Sequence, residues 1–187
     1  ALSSAASDVY KRQGVDSVLN VRVKECAPFE NVYTLALRGL HDRAMNASND
    51  LGDRKDMLQE ALMAQRQMLI DAIGKPGEEI PQAFTPYKEV LDVYDEGLEL
   101  PDDVTIIWPD DNYGYMKRLS SPKEQKRSGR SGVYYHSSYL GKPHDHLWMN
   151  TVSPTLMYEE LRKAYDATAD RIWFCLLYTS DAADDKA

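Results

Sequence analysis

The chain has 187 residues, 43% hydrophobic and 28% charged, a composition that suits a globular domain with its own core. A formal net charge of −8 and a pI near 5.0 exclude the basic face that a nucleic-acid-binding domain needs. No apolar run approaches the ~20 residues that span a bilayer. Cys26 and Cys175 make neither a disulfide framework nor a paired metal motif.

In chain order, the opening stretch Ala1–Gln13 (ALSSAASDVYKRQ) resembles translated sequencing-adapter read-through, and so does the closing stretch Cys175–Ala187 (CLLYTSDAADDKA). The natural part is then expected at 14–174, and without the two ends it stays acidic. Val32–Leu37 is a β-rich run that stops at Arg38-Gly39-Leu40-His41-Asp42. From Asp53 to Ile73 the residues Leu58, Ala61, Leu62, Leu69, Ala72 and Ile73 share one helical face, and Gly74 with Pro76 ends the helix. Ile80–Phe84 reads as a second strand. Thr85-Pro86 supplies an N-cap and first turn for a helix through Val90, Leu91 and Tyr94 that Gly97 terminates.

Val104–Trp108 is a third strand, ending abruptly in Pro109-Asp110-Asp111-Asn112-Tyr113-Gly114. Ser121-Pro122-Lys123-Glu124 has the form of a capping box and predicts a short helix. The basic residues around it, Lys117, Arg118, Lys123, Lys126, Arg127 and Arg130, read as a solvated helix face. Gly132–His136 is a fourth strand, followed by a long loop rich in Gly, Pro and His. Ser153-Pro154 begins a helix that turns Leu156, Met157 and Leu161 inward, and Arg171–Phe174 opens a fifth strand.

Short apolar strands alternating with helices predict a parallel sheet buried on both faces, an α/β class. No glycine-rich phosphate loop follows any strand, which disfavours a nucleotide-binding open sheet. The polar residues gather just after the strands instead. In a (β/α)8 barrel of the TIM type those strand ends share one face. A partial barrel of about four βα units is the expected architecture.

Carboxylates, an imidazole and aromatic side chains on strand-end loops are the inventory of a sugar-cleaving site. Glycoside hydrolysis requires one carboxyl group to protonate the leaving oxygen and a second to activate water or attack the sugar. Trp108, Tyr113, Tyr115, Tyr134, Tyr135 and Tyr139 are candidates for bordering sugar rings, although tyrosine is also ordinary packing material. Each polar candidate has a plain structural alternative. Asp42 could cap its loop, Glu89 could answer a helix dipole, Asp110-Asp111-Asn112 could form an Asx turn, and His136 could be a hydrogen-bonded core histidine. His144-Asp145-His146 follows Gly141-Lys142-Pro143 and lacks further ligands, so no metal site is expected there. A metal-dependent hydrolase using His136, His144 and His146, or a non-catalytic carbohydrate-binding barrel, stays open as an alternative.

Trp108–Tyr115 (WPDDNYGY) strongly resembles glycoside hydrolase family 115, the xylan α-1,2-glucuronidases. The likeness continues through Arg118-Leu119-Ser120, Glu124–Gly129, Gly132–His136, Pro143-His144-Asp145 and Leu147-Trp148. Upstream it takes in Val32–Leu35, Arg38–Asp42 and Pro86–Val90, and altogether it covers about 23–174. It implies inverting hydrolysis of the bond joining glucuronic acid, or its 4-O-methyl form, to xylose in glucuronoxylan, with no metal or organic cofactor. By the same resemblance Asp42 and Glu89 are functional positions, and Glu89 is read here as the general acid and Asp42 as the general base. Asp110, Asn112 and His136 hold sugar hydroxyls and orient that pair, while Arg38, Tyr87 and Tyr134 contact the ring or the uronate carboxylate. The resemblance further implies a parent protein several times longer, secreted or periplasmic, with no nucleic-acid or membrane partner. Its missing parts include a β-sandwich used in homodimer formation. Half a barrel on its own is expected to be inactive and poorly stable, because it leaves open strand edges.

Overall fold

A computed structural model of the chain describes residues 20–37, 50–139 and 150–176. Residues 20–26 are helical. The order that follows is β1 (Tyr33–Leu35), α1 (Leu51–Ile73), a 3₁₀ turn (Gly77–Glu79), β2 (Gln82–Phe84), α2 (Glu89–Asp95), β3 (Thr105–Pro109), a second 3₁₀ turn (Glu124–Lys126), β4 (Ser131–His136), α3 (Pro154–Asp166) and β5 (Trp173–Leu176). The five strands pair in sequence order, every pair parallel, and curl into a half-barrel with the helices between them. The expected α/β half-barrel is therefore the observed one. Among the described residues no helix is long and apolar enough to cross a membrane.

Register fixes what each strand residue faces, because alternate side chains point to opposite sides and parallel partners share a side. Tyr33, Leu35 and Phe84 turn outward and pack with Leu58, Leu62 and Leu69 of α1 and Val90 and Val93 of α2. Val133 and Tyr135 turn outward against α3, where Leu156, Met157, Leu161 and Ala164 meet them. The inner face carries the alternating set: Thr34, Ala83, Thr105, Ile107, Pro109, Gly132, Tyr134, His136 and Phe174. β3 is buried on both sides, with Ile106, Ile107 and Trp108 fully covered, as a β-branched and aromatic run in a parallel sheet requires.

The long helix obeys its end signals. Asp50 accepts a hydrogen bond from the Asp53 amide (3.0 Å), so α1 starts two residues before the expected Asp53, and Gly74 closes it in the left-handed conformation at φ 74°. Arg66 of α1 forks onto Asp103 (2.8 and 3.0 Å), tying the helix to the entry of β3. Ser153 caps α3 through the Leu156 amide (3.2 Å), with Pro154 at its first turn.

Four local expectations change. Thr85-Pro86 does not start α2: the Tyr87 amide closes a tight turn on the Thr85 carbonyl (3.0 Å), and the helix begins at Glu89 after a reversal at Lys88. The capping-box bonds of Ser121 and Glu124 do form (2.6 and 3.4 Å), yet they support a single 3₁₀ turn. Glu124 is also drawn sideways to Arg118 and Tyr94, away from a helix axis. The basic cluster is not a solvated helix face. Lys117, Lys123 and Lys126 are exposed, but Arg118 lies over the Trp108 ring (4.7 Å to its centroid) and Arg127 donates to the carbonyls of Leu100, Pro101 and Val104. β5 runs Trp173–Leu176, two residues further along than the expected Arg171–Phe174.

Candidate active site

Parallel strands deliver their C-terminal ends to one rim, and the polar residues that follow β2, β3 and β4 meet there. Two neighbouring contacts stitch the rim together. From the β2–α2 turn, the Tyr87 hydroxyl donates to Asn112 Oδ1 (3.3 Å) on the loop after β3. From the end of β4, His136 Nδ1 lies in hydrogen-bond contact with Asp110 Oδ1 (2.6 Å) at the end of β3. Asp110 and His136 are 26 residues apart in sequence, and the pairing of Pro109 with Tyr134 in adjacent strands brings them side by side.

The Asp110 carboxylate is completely buried and accepts four hydrogen bonds. Oδ1 takes His136 Nδ1 and the Asn112 amide (3.1 Å); Oδ2 takes the His136 amide (3.0 Å) and the Gly114 amide (3.2 Å). The Asx turn is therefore real and works together with the histidine contact. It places Asn112 at φ 74°, a left-handed conformation that asparagine tolerates better than most residues. Tyr134 and Tyr139 flank the imidazole edge-on, with ring centroids 5.4 and 5.3 Å away.

Glu89 is the first residue of α2, half-buried, one step after Lys88 and two after Tyr87. Lys88 has φ 51° and ψ −121°, a backbone region that costs a non-glycine residue on the order of 1–3 kcal/mol and that recurs where functional groups are aimed. Its ammonium rests 4.9 Å from the centroid of the Tyr87 ring. The expected base Asp42 and the expected carboxylate contact Arg38 lie outside the described residues, as do His144 and His146. Among the described residues no three His, Cys, Asp or Glu side chains converge as a metal-ligand set.

The aromatic candidates divide by side. Trp108 and Tyr135 are fully buried on the helix-facing side and so cannot border a sugar. Trp108 donates to Ser120 (2.9 Å) and Tyr135 to the Gly114 carbonyl (3.0 Å). Burial first, and then the negative charge of Asp110, push the Tyr135 phenol up to about 12. Tyr113 and Tyr115 are exposed on the loop after β3, and Tyr113 meets Tyr139 edge-on at 5.9 Å. Tyr134 is on the inner face beside His136 and Phe174.

Glu160 gave no signal in the sequence. It sits on α3, is 6% exposed, accepts from the Met116 amide (2.9 Å), and is paired with Lys163 (2.8 Å). Burial alone would raise its carboxyl, but the Lys163 and Met116 bonds outweigh burial and hold it below the ordinary carboxylate range. The loop that carries Asp110, Asn112 and Gly114 is thereby anchored from the outer layer of the barrel.

A fixed carboxylate–imidazole pair, a carboxyl at the start of a helix and aromatic rings, all following strand C-termini, can hold a sugar and move protons at it. Comparison with known proteins agrees in kind. The model of glycosyl hydrolase family 115 matches residues 5–176. A solved 4-O-methyl-α-glucuronidase of that family, described as having specificity for decorated arabinogalactans, is similar at 41% identity with a TM-score of 0.86 over 95% of this chain. The chain spans 23% of that enzyme's length. A comparison with curated proteins found no match. On the family model and the solved relative together, the chain belongs to glycosyl hydrolase family 115.

Proposed function

We propose that the chain is an internal piece of the catalytic barrel of an inverting α-glucuronidase, which removes glucuronic acid or its 4-O-methyl form from glucuronoxylan. The observation that carries this reading is the 41% identity to a 4-O-methyl-α-glucuronidase across nearly the whole chain, joined to a polar rim at the strand C-termini. Glu89, as a carboxylic acid, gives its proton to the glycosidic oxygen while the bond from that oxygen to the anomeric carbon breaks. Asp42, as a carboxylate, takes a proton from a water whose oxygen bonds to the anomeric carbon from the opposite face. The products are a free uronic acid of inverted configuration and a hydroxyl on the main chain, and solvent exchange restores both carboxyl groups. Tyr87, Asn112, His136 and Tyr134 surround the sugar, and Arg38 pairs with its carboxylate. No metal or organic cofactor takes part. Action on a plant-wall polymer fits a protein exported from the cell, and the parent works as a homodimer.

A second substrate is favoured by one observation: the solved relative is described as specific for decorated arabinogalactans. The test is to extend the coding sequence outward to the complete protein and measure uronic acid release from glucuronoxylan and from a glucuronic-acid-decorated arabinogalactan. Release from xylan supports the proposed substrate. Release from the galactan alone moves the substrate to the relative's class, and release from neither rejects the hydrolase reading.

A further inference from the structure

Resting on that reading of the reaction, we propose that Asp110 is a positioning residue that never touches the sugar: it holds His136 as the Nδ1–H tautomer so that Nε2 offers a lone pair to a substrate hydroxyl. The argument begins from hydrogen-bond capacity. Three of the four groups on the Asp110 carboxylate are backbone amides of Asn112, His136 and Gly114, which can only donate. The carboxylate must then accept on both oxygens, and the fourth group, His136 Nδ1 at 2.6 Å, must also bring the proton. With a buried side chain and each oxygen already accepting twice, Asp110 has no face left for a ligand. In the neutral ring the proton on Nδ1 leaves Nε2 as the acceptor, on the far edge of an imidazole that Tyr134 and Tyr139 keep from rotating.

The same geometry states what an amide would do. In Asp110→Asn one oxygen becomes an NH2 group. Placed at the Oδ2 position it would face two backbone donors, those of His136 and Gly114. At the Oδ1 position it faces one such donor, Asn112, together with His136 Nδ1. The amide settles in the second way, donates to Nδ1, and moves the ring proton to Nε2. The acceptor offered to the substrate becomes a donor, although the fold keeps most of its contacts.

The experiment is a double-mutant cycle on the complete protein, read as kcat/KM for uronic acid release from a glucuronic-acid-decorated oligosaccharide. Asp110→Asn is expected to lower kcat/KM by ~10²–10⁴-fold, the range that follows loss of an orienting carboxylate beside a histidine. His136→Asn keeps an N–H for Asp110 but has no atom at the Nε2 position, and a loss of the same order is expected. The double variant is expected to be no worse than His136→Asn alone, because both changes remove one device. A double variant whose loss equals the product of the single losses overturns the proposal, and so does a His136→Asn variant with parental activity. The latter outcome decides the matter even where Asp110→Asn fails to fold. Absence of release by the parent on every decorated substrate rejects the reaction itself, and this role falls with it.

Discussion

The Tyr87 hydroxyl and the Asn112 side chain join two loops that follow different strands, at 3.3 Å. One loop leads into Glu89, and the other is held in shape by Asp110. Replacing Tyr87 by Phe removes that link. A hydrogen bond of this kind contributes about 0.5–1.5 kcal/mol. The complete protein carrying Tyr87→Phe is expected to lose up to about tenfold in kcat/KM, with its thermal midpoint nearly unchanged. Unaltered kinetics would show that the two loops are held by other contacts.

Lys88 occupies a strained backbone position that glycine accepts freely. Lys88→Gly should therefore raise the unfolding free energy by about 1 kcal/mol after the added freedom of the unfolded chain is subtracted, seen as a higher urea midpoint. Lys88→Ala keeps the strain and should not raise it. A lower midpoint for the glycine variant would mean that the ammonium on the Tyr87 ring outweighs the backbone cost.

Gly132 lies on the inner face where β3 and β5 close in. A Cβ there would clash with the Ile172 carbonyl oxygen and come within 2.8 Å of Ile107 Cδ1. A backbone atom cannot swing aside, so Gly132→Ala must push β4 and β5 apart. The expected cost is about 2–3 kcal/mol in chemical unfolding. A variant as stable as the parent would contradict the tight approach of the three strands.

Glu124 links the outer layer by accepting from Tyr94, Arg118 and the Ser121 amide. Burial would raise its carboxyl, but the bonds from Ser121, Tyr94 and Arg118 outweigh burial and hold it below the ordinary range. A depressed folded-state value means that the unfolded chain binds the proton first as pH falls. The stabilisation is full above the unfolded value of about 4.3 and fades as pH drops through the folded value. In thermal melts across that acid window, Glu124→Gln should flatten the pH dependence and lower the midpoint at neutral pH. Parallel curves for parent and variant would remove Glu124 from the acid response.

The sequence made the skeleton legible where local chemistry and tertiary need coincide. Thr105–Trp108 is β-branched and aromatic and becomes a strand in which Ile106, Ile107 and Trp108 are fully buried. Gly74 ends α1 at the expected place, because a cap acts within a few residues of itself. What stayed hidden depends on register. Trp108 and Tyr135 look like sugar platforms until strand pairing assigns them to the helix side, since a one-residue shift reverses every face. The Asp110–His136 contact was foreshadowed only as two polar residues at the ends of consecutive strands. The reversal at Lys88 and the buried Glu160 had no signal in the sequence, and Glu160 is held by the amide of Met116, distant in sequence.

The measurement that bears most directly on the central claim is uronic acid release from glucuronoxylan by the complete protein, beside its Glu89→Gln and Asp42→Asn variants. The account predicts release by the parent with inverted anomeric configuration, and loss of ~10²–10⁴-fold in each variant with folding intact, the range that removal of a general acid or base gives. A Glu89→Gln enzyme that still releases uronic acid at the parental rate would contradict it.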